Sequence, residues 1–583
     1  MTNARGPRRS VAGTSPAQEL GKGAARRLAG DRGEEGEHTG AYLKRAYLLI
    51  AGAFESWRAH RRFHPGESGS RAIAAANARA VWSRGMGGGE RTAVQTPVLS
   101  GLEPEAFWGH FDALTRIARP SRQEEAVSDH VRSWADQHGF EVEGDSAGNI
   151  VVRVPASEGR ESAPKITLQG HLDMVCEREP DSPNDPAEGR IELARDGDWL
   201  TANGTTLGAD DGVAIAAMMA LVEDESNVHG PLELLMTVAE EVGLEGANGL
   251  DPKLVTGAVL VNLDSEEDGK LTVGCAGSTD TWIHVEKPRE PTAPDAVTLS
   301  VTASGGLGGH SGSNIALGRA NAIKVLGRVL REAYREAPFR LVSLNGGKSR
   351  NAIPRDAVAV VSVAGDRRQA FEDAVQGAVA TVRDAFKTTD SGATAAVAET
   401  ETASDAWSED ATGALLDVVA LVPTGPLAMS QDFDDLVETS TSLGEATTDG
   451  ARLTLHSLSR SSNDAALPEL IGALDAAARL GGGELETKHN YGGWRPDLQS
   501  PALAALRTTY ERLFGEEPIV TGVHAGLETA VIGDKVAGLD MISFGPQIEA
   551  PHSPDERVSI PTVERFWKLL VGFVDEMSSP GKP

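Results

Sequence analysis

The sequence predicts an α/β protein organised on a mostly parallel β-sheet, and three features of its pattern carry that reading. Four short apolar runs have strand length and β-branched or leucine enrichment: KITLQG (165–170), PLELLMTV (231–238), GAVLVNL (257–263) and DMISFG (540–545). Helical patterns lie between them, DGVAIAAMMALVEDE (211–225) among them, and strands alternating with helices favour a parallel sheet covered on both faces. Polar residues gather just past the ends of these same strands, where open α/β sheets build their sites.

The 583 residues are 40% hydrophobic and 24% charged, which supports two or three domains with sizeable cores. A net charge of -30 argues against nucleic acid or an anionic membrane as partner, because phosphate binding needs basic surface. Only Cys176 and Cys275 occur, too few for a disulfide framework, so the expected compartment is reducing and cytoplasmic. Each reads as a small buried hydrophobe.

Charge is uneven along the chain. Residues 1–95 hold about twice as many Lys and Arg as Asp and Glu and lack sustained apolar periodicity, which predicts a disordered basic leader. Its apolar stretch AYLLIAGAF (46–54) is far shorter than the ~20 residues a spanning helix needs. Amphipathic helix and strand patterns begin after this leader. The expected organisation is a first catalytic part at 96–280, an inserted domain at 281–489 and a second catalytic part at 490–583.

KITLQG runs into His171 and Asp173, and GTTLGADDG carries Asp210 where a turn enters a helix. PLELLMTV leads to Glu240 and Glu241, GAVLVNL to Asp264, and DMISFG through PQIEAP to His552. Two imidazoles and several carboxylates form a donor set for two divalent cations, with Asp210 as a carboxylate able to bridge them. Residues i and i+2 of an extended segment project to one side, so Asp173 can orient the His171 ring. Glu240 and Glu241 are adjacent and point apart, so one can bind metal while the other serves as general base; spacing leaves the order open.

The segments QGHLDMVCE, GTTLGADDGVA, AEEVGLEGA, NLDSEEDGKLTVGCAG, GGLGGHSG, RNAIPR, HAGLE and GPQIEAPHSPDERV resemble, in order, the aminoacyl-histidine dipeptidases. These Xaa-His or cytosolic non-specific dipeptidases are dinuclear zinc metallopeptidases, and the likeness runs from about 98 to 578. It implies a zinc-peptidase-type catalytic domain with the mostly parallel sheet at its centre, interrupted by an inserted α/β lid domain. By the same resemblance His171, Asp210 and Asp264 bind one Zn2+, and Asp210, Glu241 and His552 the other, with Mn2+ or Co2+ as alternatives. Asp173 takes the place of the aspartate that orients the histidine, and Glu240 that of the general base. Two positions depart from the family: Asp211 where asparagine is usual, and Thr529 where cysteine is common.

The lid pattern includes VTLSVTASG as a strand and NIALGRANAIKVLGRVLREAYRE (314–336) as a helix with Ile323, Leu326 and Leu330 at helical spacing. DLVETSTSLG and HSLSRSSND read as further lid strands, and AETETASDAWSEDATG as a solvated loop or helix start. His310 sits in a glycine loop, and the resemblance implies that it stabilises the tetrahedral oxyanion. RNAIPR offers Arg350, Asn351 and Arg355 as substrate contacts; either arginine can fork onto a terminal carboxylate, and Arg350 is the preferred one.

The implied activity is hydrolysis of dipeptides, with Xaa-His specificity resting on resemblance alone, in a homodimer without nucleic-acid or membrane partners. An amidohydrolase acting on N-acyl amino acids is the alternative, since it would use the same metals and base. A non-catalytic binding protein is the remote one, because it predicts a missing ligand or base and none is missing.

Overall fold

The computed structural model describes residues 96–579, so the predicted leader lies outside the described residues. After helices α1 (Glu105–Leu114) and α2 (Glu125–His138), the chain lays down strands β1 (Glu141–Gly144), β2 (Ile150–Val154) and β3 (Ile166–His171). Helix α3 (Ala209–Glu223) and strands β4 (Leu232–Thr237), β5 (Val259–Asn262) and β6 (Lys270–Cys275) follow. The chain then crosses into a second sheet with β7 (Gly277–Glu286), β8 (Ala296–Ser304), α4 (Ala322–Glu336), β9 (Arg340–Gly346), β10 (Ala357–Ala364), α5 (Arg368–Ala385) and β11 (Thr394–Glu399). That sheet is completed by α6 (Glu409–Leu421), β12 (Val437–Asp449), β13 (Arg452–Ser461), α7 (Leu467–Leu480) and β14 (Glu484–Tyr491). Strands β15 (Ile519–Val523) and β16 (Asp540–Ser543) return to the first sheet.

The first sheet has the order β1-β2-β4-β3-β5-β16-β6-β15. The four apolar runs singled out in the sequence are its contiguous centre, β4-β3-β5-β16, and every pairing among them is parallel. Parallel strands buried on both faces need unbroken apolar runs, which is why these four were legible. Helix α3 is buried on every side from Ala209 to Leu221, as its alanine and methionine content allows. The α/β class with a mostly parallel central sheet is thus borne out.

The second sheet has the order β11-β8-β10-β9-β12-β13-β7-β14, with a short strand at Gly425–Met429 pairing beside β12. It consists of two βαββαβ units. One is β8-α4-β9-β10-α5-β11; the other is β7-α6-β12-β13-α7-β14, with the first unit inserted after its opening strand. The units meet edge to edge where Gly346 of β9 pairs with Ala446 of β12. One hydrophobic core joins Leu99–Cys275 to Trp494–Met577, and a separate core lies between Ile283 and Ala478.

The helix expected over 314–336 is shorter than its periodicity predicts. Gly318 adopts a left-handed φ of 64°, and Asn321 caps the true start by accepting from the backbone N–H of Ile323 (3.1 Å) and Lys324 (3.3 Å). The acidic stretch resolves into a strand at Asp405–Trp407 and the start of α6, capped by Ser408.

Candidate metal centre

The parallel strands deliver the polar residues to one edge of the first sheet. His171 ends β3, Asp173 lies two residues on, Glu240 and Glu241 follow β4, and Asp264 follows β5. His552 arrives from the loop after β16, at a φ of 61°, and Ala239 before the glutamates has a φ of 50°. Non-glycine residues in this region cost about 1–3 kcal/mol each, so tertiary contacts must hold these loops. One such contact is the Ala239 N–H donating to Glu124 Oε1 at 2.9 Å.

Asp210 lies between the two imidazoles: its Oδ1 is 2.9 Å from His171 Nε2 and its Oδ2 is 3.1 Å from His552 Nε2. Asp264 Oδ1 stands 3.7 Å from His171 Nε2, and Glu241 Oε2 stands 2.9 Å from His552 Nε2. On the far side of the first ring, His171 Nδ1 is 3.4 Å from Asp173 Oδ1. Asp173 also accepts from the N–H of Glu240 (3.0 Å) and Glu241 (3.3 Å), so one carboxylate aligns both the ring and the glutamate pair.

Asp211 turns the other way. Its Oδ2 accepts from the His171 backbone N–H at 3.1 Å, while its donor atoms also come within 4.8 Å of those of His171 and Asp264. The donor atoms of His171, Asp210 and Glu241 form a second such group.

The local field suits cations. Burial alone would lower the pKa of His171, but the Asp264 charge and hydrogen bonds to Asp173 and Asp210 raise it well above its ordinary value. Hydrogen bonds to Asp210 and Glu241 push His552 up to about 11. Burial, reinforced by Asp210 and Glu241, lifts Asp264 to about 6, and burial raises Glu240 well above the usual carboxylate range. Asp173 goes the other way, to about 2, because the hydrogen bond to His171 and that ring's charge outweigh its burial. Glu241 Oε1 is buried with no hydrogen-bond partner among the described residues. Imidazole and carboxylate donors with a lone pair left over fit two divalent cations.

The candidate residues from the second sheet and its loops are placed less uniformly. His310 Nδ1 accepts from the N–H of Gly312 (3.3 Å) and Ser313 (3.2 Å), which leaves the ring proton on Nε2. Burial and the positive charge of Arg460 lower the His310 pKa, keeping the ring neutral. Arg350 is engaged with Asp280 at 2.5 Å, and Asp280 is also bound by His456 at 2.7 Å. Arg355 packs on the glycine loop, its Nε 3.3 Å from Gly306 O. Asn351 is exposed and takes a hydrogen bond from Ser349.

Three residues missed in the sequence stand out here. Arg460, in the segment LSRSS, is buried at the end of β13, hydrogen-bonds Tyr491, leaves Nε unpartnered and makes no ion pair among the described residues. Its signal was a lone arginine in a strand of serine and leucine. His524 and Glu528, in the HAGLE segment, are buried beside the site. His524 Nε2 lies 2.7 Å from Ser440 Oγ of β12, and Glu528 Oε2 accepts from Gln169 and Thr237, each at 2.6 Å.

A parallel α/β sheet whose strand ends gather two imidazoles around a shared carboxylate, with a part-buried glutamate beside them, defines a metal-dependent hydrolase. The chain belongs to the peptidase family M20/M25/M40, whose family model matches residues 167–576. It is 38% identical to the cytosol non-specific dipeptidase of Escherichia coli (strain K12) over 482 residues, 82% of this chain and 99% of that protein. The crystal structure of aminoacylhistidine dipeptidase from Vibrio alginolyticus matches with a TM-score of 0.76 and 35% identity, covering 82% of this chain and 97% of that one.

Proposed function

We propose that this enzyme hydrolyses unblocked dipeptides, Xaa-His dipeptides among them, at a centre that takes two Zn2+ ions. The observation that carries the reading is Asp210 set between His171 and His552, with Glu240 and Asp173 alongside. The two dipeptidase relatives, each aligned over nearly its whole length, support the substrate class.

His171, Asp210 and Asp264 would hold one cation, and Asp210, Glu241 and His552 the other. Bound there, they would polarise the scissile carbonyl and bring the pKa of a water towards neutrality. Glu240 accepts a proton from the attacking water and returns it to the leaving amine as the C–N bond breaks. Asp173 keeps the His171 ring in one tautomer. His310 donates its Nε2 proton in a hydrogen bond to the developing oxyanion. Arg460, buried without a carboxylate partner among the described residues, forks onto the terminal carboxylate of the dipeptide; Arg350 is engaged by Asp280. No helix among the described residues is long and apolar enough to cross a membrane, and the relative named for the cytosol supports a cytoplasmic location.

The test is hydrolysis of β-Ala-His, Gly-His, Leu-Gly, a tripeptide and an N-acetyl amino acid by protein loaded with Zn2+, Mn2+ or Co2+. Dipeptide cleavage is expected, abolished by EDTA and lowered about 10²–10⁴-fold in Glu240→Ala with the metals still bound. Cleavage of the N-acetyl substrate alone would reassign the enzyme to the amidohydrolases.

A further inference from the structure

Two buried charged side chains outside the donor set, Glu556 and Arg119, both grip the turn that carries Asp210, one through its amides and the other through a carbonyl. Glu556 Oε2 accepts from the N–H of Leu207 (2.7 Å) and Gly208 (2.9 Å), and Oε1 from those of Ala209 (2.8 Å) and Asp210 (3.3 Å). Four consecutive amides thus close on one carboxylate. Arg119 reads the same turn through its carbonyl: Nη2 takes Gly208 O at 2.5 Å, and Nη1 takes Leu172 O (3.2 Å) and Asp173 O (2.8 Å). Each is 2% exposed, and neither forms an ion pair among the described residues.

Burying a charge is costly unless hydrogen bonds replace its water. Here those bonds all go to the backbone of the segments that present Asp210 and His171–Asp173. The fit is close: Gly208 has a φ of 71°, and a Cβ on it would lie 2.5 Å from Arg119 Nη2. Glu556 also follows His552 by four residues, so the same carboxylate ties the His552 loop to the Asp210 turn.

We propose that Arg119 and Glu556 are positioning residues that act as one clamp, fixing the 207–210 turn against the 171–173 segment so that Asp210 stands between His171 and His552. The proposal rests on the reading of Asp210 as a metal ligand. It concerns neither substrate contact nor proton transfer.

The test is Zn2+ affinity by chelator competition, and the visible absorption of the Co2+ form, for wild type, Glu556→Gln, Arg119→Lys and the double variant. Gln places an amide against backbone donors, and Lys keeps the charge but loses the fork. Each single variant is expected to weaken metal binding roughly 10–100-fold and shift the Co2+ spectrum. In both, kcat should fall while KM holds. The double variant should be no worse than the worse single, because both residues hold one turn. Folded single variants with wild-type affinity and spectrum would overturn the clamp, as would losses that multiply in the double. If Glu556→Gln does not fold, Arg119→Lys decides by the same readouts. A wild-type protein that binds no metal would overturn the metal-centre reading and the clamp with it, whereas metal bound normally by every variant would overturn the clamp alone.

Discussion

Arg460 illustrates how much a single residue's partners decide. A guanidinium that is buried, hydrogen-bonded to Tyr491 and without a carboxylate partner among the described residues is suited to an anion that arrives with the substrate. Lysine at this position would retain the charge and lose the planar fork. Arg460→Lys is therefore expected to raise KM for Gly-His about tenfold or more while kcat stays within a few fold, since ground state and transition state share that contact. Arg350→Lys should leave KM nearly unchanged, because Arg350 already pairs with Asp280. Steady-state kinetics of the two variants separates the roles. The candidate donor set was legible because His171, Glu241, Asp264 and His552 come after apolar strands, while Asp210 stands where a glycine turn enters a helix. Arg460, Arg119 and Glu556 were not, because nothing in the order of residues says which carboxylates or carbonyls a buried charge will meet.

Helices and loops around the first sheet bury two histidines whose protonation makes stability depend on pH. On α2, burial and the nearby His110 hold His130 down to about 4, against an ordinary 6.5. His524 is likewise lowered to about 4 by burial, with Arg460 adding to it. Both rings are neutral in the fold, and the unfolded chain takes up their protons first as pH falls below 6.5. Stability is then full above that value and declines towards pH 4. Urea unfolding at pH 7 and 4.5 should show this loss, and His130→Gln should reduce it. At this scale the sequence was read well where one pattern ran unbroken, as in the four parallel strands. It over-extended α4 because helical spacing continues through 314–321, where Gly318 and the Asn321 cap break the hydrogen-bond ladder.

On the scale of the whole molecule, the inserted sheet pairs two βαββαβ units within one chain. The loop bearing His310 belongs to one unit and Arg460 to the other. Both approach the catalytic part: a Cβ on Gly312 would lie 2.5 Å from His524 O, and the positive charge of Arg460 adds to the burial that lowers the pKa of His524. A single chain therefore supplies every residue in the proposed mechanism. Activity per chain is expected to stay constant on serial dilution, whether or not the protein dimerises; a fall with dilution, matched by dissociation in analytical ultracentrifugation, would show that a second copy completes the site.

By itself the sequence determined the α/β class, the four central strands and the resemblance to the Xaa-His dipeptidases, and it offered the candidate donor residues near the strand ends. These depend on local periodicity and on residue types that metal chemistry demands. Only the tertiary structure decided that Asp210 stands between two imidazoles 381 positions apart in the chain, that Arg350 is held by Asp280 while Arg460 makes no ion pair among the described residues, and that Glu556 closes on the turn at 207–210. Such contacts arise when distant segments pack, and a buried charge is defined by what then surrounds it rather than by its neighbours in sequence.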